Sequence, residues 1–199
     1  MPDNRSLELP TPIETERLLL RPYQPGDSAW YWEMSLRNRD HLLPFESDNP
    51  ILALKGLEDA EILVREFAAA WETRKYFFLG AFEKPGLEFA AQIYIGVVNR
   101  DLPEFEVGYF ADRDHEGRGY VSEAVRGALA LVFDGLHARR VSLHCNPANG
   151  RSFRVAERCG FIREGLIRQN HLNSDGTVND SLCYGLLREE WEAARKTAG

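Results

Sequence analysis

The stretch EFEVGYFADRDHEGRGYVSEA, running from Glu104 to Ala124, decides the fold. Phe105, Val107 and Tyr109 alternate with Glu106, Gly108 and Phe110, which is the period of a β-strand. A charged loop follows, then Gly117 and Gly119, and then Ala124, Val125, Ala128, Leu129, Val132 and Leu136 at the spacing of an amphipathic helix. Residues without a Cβ let backbone N–H groups converge on an anion at the start of that helix, and the helix dipole adds to the attraction. Strand, glycine loop and helix in this order predict a phosphate cradle.

On either side of this segment, strand patterns fall near residues 17–21, 77–82, 88–98, 141–145, 161–169 and 178–187, separated by helical ones. Ala60, Leu63, Val64, Phe67 and Trp71 form a second apolar helical stripe. Asn149 is placed to cap a helix, with Pro147 ahead of it and Gly160 at its end, and Ser174-Asp175-Gly176 marks a final hairpin. The class is α/β, with strands and helices interleaved and no internal repeat.

A chain of 199 residues that is 44% hydrophobic fits one domain, expected over residues 14–199 behind a mobile tail at residues 1–13. The start MPDNRSLE carries no secretion signal, and no apolar run is long enough to span a bilayer, so a cytoplasmic location and no membrane partner are expected. Cys145, Cys159 and Cys183 lack metal-ligand spacing and read as buried thiols; no metal is expected. A net charge of −7 argues against a nucleic-acid partner and mildly favours a cationic one such as an amine.

Glu116-Gly117-Arg118-Gly119-Tyr120-Val121 resembles the acetyl-coenzyme A signature of the GNAT N-acetyltransferase superfamily, Gln/Arg-x-x-Gly-x-Gly/Ala. Gly119 matches, Glu116 stands in place of Gln or Arg, and Val121 in place of the small residue. With EVGYF before it, GYVSEAV after it, Asn149-Gly150-Arg151-Ser152, Arg158-Cys159-Gly160-Phe161, Glu14 to Pro22 and Leu187 to Trp191, nearly the whole chain resembles the ribosomal-protein N-terminal, or Rim-type, branch. The resemblance implies a central mixed, mostly antiparallel seven-stranded sheet, splayed at the fourth strand and flanked by helices on both faces. It also implies acetyl-CoA as co-substrate. Its pantetheine arm would pair with Val107, Gly108, Tyr109 and Phe110, and its diphosphate would meet the backbone of residues 116–121. Glu116 is expected to face solvent, with Arg113, Arg118 or Arg126 supplying positive field.

Acetylation of an amine needs a neutral nucleophile, a stabilised oxyanion and a proton for the departing thiolate. Glu106, beside the expected thioester, is the first candidate base, acting through water or holding the cationic amine. His144 is the second, sharing a strand face with Ser142 and Asn146, and its imidazole suits proton transfer near neutrality. The resemblance places Ser152 near the sulfur as proton donor, and Asn149 at the same helix start. Trp30, Tyr31, Trp32, His41, Pro44 and Phe45 fall where the family builds an acceptor wall, with Asp40, Glu46 and Asp48 suited to a cationic acceptor. The acceptor expected is a protein or peptide N-terminal α-amine. A small amine such as an aminoglycoside or polyamine, a larger acyl group such as succinyl, and a non-catalytic acyl-CoA-binding module are the alternatives, and a homodimer is compatible with each.

Overall fold

The computed structural model describes residues 9–198. One eight-stranded sheet has the order β1-β2-β3-β4-β5-β6-β8-β7. Its strands are β1 (Ile13–Glu14), β2 (Leu18–Pro22), β3 (Tyr76–Glu83), β4 (Glu88–Asn99), β5 (Glu104–Ala111), β6 (Arg140–Cys145), β7 (Ile162–Leu172) and β8 (Val178–Leu187). The helices are α1 (Ser28–Leu42), α2 (Pro50–Ala53), α3 (Leu57–Thr73), α4 (Tyr120–Ala130), α5 (Gly150–Arg158) and α6 (Arg188–Ala198). All neighbouring strands pair antiparallel except β5 with β6. The expected count of seven becomes eight because the two-residue β1, too short to register as a period, pairs with Leu19 and Leu20. The splayed strand is therefore the fifth. β1 begins at Ile13, and Leu9 and Ile13 pack on the core, whereas residues 1–8 of the expected tail lie outside the described residues.

The two faces of the sheet carry separate apolar clusters because side chains alternate along each strand. One face sets Leu20, Leu79, Ile93, Ile95 and Val107 against Ala124, Val125, Ala128 and Leu129 of α4. After Ala130 the helix widens into a π-helical turn, Leu131–Gly135, which keeps Val132 and Leu136 buried where a regular helix was expected to continue. The opposite face holds an aromatic cluster under α1 and α3, in which Phe67 stacks on Phe78 at 4.0 Å between ring centres. Within it, Tyr23 and Tyr31 hydroxyls both donate to Gln92 Oε1, at 2.8 and 3.2 Å, so that buried amide oxygen is satisfied. Glu58 and Asp59 occupy the first turn of α3, where acidic side chains offset the helix dipole. No helix among the described residues is long and apolar enough to cross a membrane.

Candidate active site

The site is set by where the sheet stops being a sheet. β5 pairs with β6 only through Glu104, Phe105 and Glu106, opposite Arg140, Val141 and Ser142. From Val107 to Ala111 the strand stays bonded to β4 on one side and has no β6 partner on the other. This edge leads through a 3₁₀ turn, Arg113–His115, to Gly117 at φ +75° and Gly119 at φ +79°, the left-handed region that favours glycine. Gly119 is the N-cap residue of α4. An added Cβ at Gly117 would meet nothing within 4 Å, so it is backbone conformation, and not internal crowding, that calls for glycine there. Free strand edge and open helix start together suit an extended chain ending in a phosphate group.

Glu116 is partly exposed and paired at the surface. Its carboxylate accepts from Arg151 Nη1 of α5, a pair that bridges the glycine loop and α5. The charge that would repel a diphosphate is thus partly offset by a residue 35 positions away. Arg17 reaches the loop as well, donating to the Arg118 carbonyl at 3.0 Å while Glu123 holds its backbone N–H and guanidinium. Glu116→Gln removes one charge and frees Arg151 for the anion. Acetyl-CoA affinity is expected to stay level or rise a few-fold in a calorimetric titration, and a tenfold loss would show that Arg151 must be held by Glu116 to serve.

On the far side of the gap, Asn149 Oδ1 accepts from Ser152 N–H at 3.1 Å, the expected cap, and Gly160 ends α5 at φ +88°. Tyr109, expected only to offer backbone, donates its hydroxyl to the Ser152 carbonyl at 2.8 Å and lies 3.5 Å from Ser152 Oγ. Burial pushes the Tyr109 phenol above its ordinary range, with the hydrogen bond to Ser152 opposing. The phenol therefore stays protonated across ordinary working pH.

The structure brings Glu106 and Ser142 into direct register and sets the exposed His144 two residues along the same face. Glu106 is half-buried and accepts from the Tyr94 hydroxyl, beside Gly96, where a Cβ would come within 3.0 Å of both side chains. Arg140 of β6 is held by Glu164 through both terminal nitrogens at 2.6 Å and by Glu104 at 3.0 Å, so this face is acidic around one fixed cation. Of the aromatic run, Tyr31 is fully buried in the core, Trp30 is half-buried, packing on Phe82 and Phe89 while lining a surface cavity, and Phe45 is exposed. The loop after α1 meets the β7–β8 hairpin, where Ser174 N–H donates to Ser47 Oγ at 3.0 Å.

Glu46 in that loop is half-buried and within electrostatic reach of Tyr109. Burial pushes its carboxyl up from an ordinary 4.5 to about 7, against a 2.9 Å hydrogen bond from Asn49 Nδ2 and with help from Asp48. A carboxyl with a raised folded pKa costs stability only when ionised. The cost is absent below about 4.5, grows as pH rises through the interval to about 7, and is complete above it. Glu46→Gln is expected to raise unfolding free energy above pH 7 by on the order of 1–3 kcal/mol, and to flatten the decline below it. Urea denaturation across that interval checks this, and a parallel pair of curves would place Glu46 in water.

A sheet opened beside a glycine-led helix, with hydroxyls and carboxylates around the opening, defines a coenzyme A-dependent acyltransferase. The family model for the acetyltransferase (GNAT) domain matches residues 17–162, and the chain belongs to that family of N-acetyltransferases. It is 28% identical over 186 residues to a putative ribosomal N-acetyltransferase, YdaF, of Bacillus subtilis (strain 168), covering 90% of this chain and 96% of that one. Among solved structures it is similar to the microcin C7 self-immunity acetyltransferase MccE in complex with acetyl-CoA and AMP, at TM-score 0.81 and 16% identity over 90% of this chain and 98% of that one. It is also similar to RimL, the ribosomal L7/L12 α-N-protein acetyltransferase in complex with coenzyme A, at TM-score 0.80 and 18% identity over 90% and 97%.

Proposed function

We propose that this protein transfers an acetyl group from acetyl-CoA to the α-amine of a protein or peptide N-terminus. The observation that carries the donor half is the open β5 edge, Val107–Ala111, running into the left-handed glycines that start α4. Val107 to Phe110 would hold the pantetheine arm by backbone hydrogen bonds, and the N–H groups of residues 116–121 would hold the diphosphate. When bound, acetyl-CoA supplies the thioester that the amine attacks. The acceptor half rests on the relatives named for ribosomal proteins and on the acidic face around Glu106, Glu104 and Glu164, which attracts a cationic terminus.

Glu106 and His144 are the groups placed to take the proton from the amine, and an α-amine, with an ordinary pKa of roughly 7.7 to 8.0, needs far less help than a lysine. Tyr109 and Ser152 are placed at the other end, to give a proton to sulfur. Residues 14–199 act as one catalytic domain in this reading. A thiol-release assay with acetyl- and succinyl-CoA against peptide N-termini, lysine-blocked peptides and small amines tests it. Turnover with peptide α-amines is the expected result; turnover confined to small amines or lysine side chains would overturn the acceptor, and none with any amine would overturn catalysis. In the same assay, the alanine variant of the true base loses the acidic limb of the pH profile, and whichever of Glu106 and His144 keeps the parent profile is not the base.

A further inference from the structure

We propose that His115, Glu83 and Glu88 form a site for a zinc ion at the closed end of the β3–β4 hairpin, outside the acetyl-transfer machinery. His115 ends the 3₁₀ turn after β5 and is 8% exposed. Its Nδ1 lies 3.3 Å from Asp112 Oδ1. Asp112 is fully buried and accepts from Arg37, Asn38 and the Asp114 N–H, which fix its carboxylate behind the ring. With Nδ1 turned to Asp112, Nε2 is the ring atom left to face Glu83 and Glu88 and to serve as a ligand. A carboxylate behind the imidazole is the usual outer support of a metal-binding histidine, fixing both tautomer and ring orientation.

Nε2 is buried and has no hydrogen-bond partner. It points at two carboxylates, Glu83 Oε2 at 3.5 Å and Glu88 Oε2 at 3.6 Å. Both are too long for a good hydrogen bond. They are the separation that a shared ion imposes, since bonds of about 2.0–2.2 Å at tetrahedral angles set neighbouring ligands about 3.3–3.6 Å apart. The three ligand atoms lie within 4.8 Å of one another.

Strand pairing supplies an independent reason for a cation. Glu83 and Glu88 are direct cross-strand partners in the hairpin, and like charges in that position destabilise a sheet. The Tyr120 hydroxyl donates to the other Glu83 oxygen, which fixes that carboxylate without neutralising it. A divalent ion removes the repulsion and satisfies the orphaned nitrogen at once. One imidazole with two carboxylates suits zinc, whereas calcium and magnesium prefer oxygen-only sets. The fourth position opens to a surface cavity lined by Glu88, His115, Arg37 and Phe89, so water completes the shell. Such an ion would tie β3 and β4 to the residue next to Glu116, where the glycine loop begins.

The test is calorimetric titration of chelator-treated full chain with zinc chloride, with melting temperature read in parallel. One saturable equivalent and a rise in melting temperature are expected for the parent. Glu88→Gln changes an exposed side chain and keeps the fold, and it should weaken binding at least tenfold while raising the melting temperature of the metal-free protein. His115→Gln should remove binding altogether. No saturable event in the parent, or one of equal affinity in Glu88→Gln, would overturn the proposal, since zinc that survives Glu88→Gln is held elsewhere.

Discussion

Gly119→Val is expected to weaken acetyl-CoA binding by about 100-fold or more while leaving the protein folded. An added Cβ at Gly119 meets only Arg17 Nη2, at 3.6 Å, so the internal cost is that of holding a β-branched residue at φ +79°. That strain is about 1–2 kcal/mol, tolerable for a domain of this size. The loss at the donor site is larger, because the side chain and the backbone shift it forces take N–H groups away from the diphosphate. Two charge-assisted hydrogen bonds at about 1.5–3 kcal/mol each account for a loss of that size. Calorimetry with acetyl-CoA beside a melting curve separates the two effects. Parent affinity in the variant would mean that the donor is held elsewhere.

Tyr109→Phe and Ser152→Ala are each expected to lower kcat by about 100-fold, the lower range for removal of a positioned proton donor, with little change in the KM for acetyl-CoA. The two hydroxyls lie 3.5 Å apart and the phenol is anchored on the Ser152 carbonyl, so they act as one unit. The double variant should therefore lose hardly more than the worse single one. Additive losses would make them independent contributors. Unchanged kcat in both would return Ser152 to capping α5, where its N–H already bonds Asn149.

What the sequence discloses here are features written in neighbouring residues. The alternation in Phe105, Val107 and Tyr109, the paired glycines, the Asn149 cap and the hairpin around Gly176 each depend on a few consecutive positions, and each stands where it was read. What it hides are meetings between residues far apart in the chain. Glu116 finds Arg151, Tyr109 finds Ser152, and His115 finds Glu83 and Glu88, pairings that no spacing rule contains. Glu46 was legible as an acidic residue in an acceptor loop, but its raised pKa comes from burial, a property of the assembled loop alone. The aromatic run is divided by packing that sequence does not show: Tyr31 is enclosed in the core, while Trp30 packs on Phe82 and Phe89 and still lines a surface cavity.

The short parallel seam between β5 and β6, three register positions long, also governs how the molecule survives. It divides the sheet into two plates, β1–β5 and β6–β8, joined by only three register positions, so a partial opening along it breaks few strand hydrogen bonds. A ligand laid into the gap beside Val107–Ala111 stitches the plates together, and by mass action it raises the cost of that opening. Resistance to proteolysis should then rise with the concentration of acyl donor added to the protein.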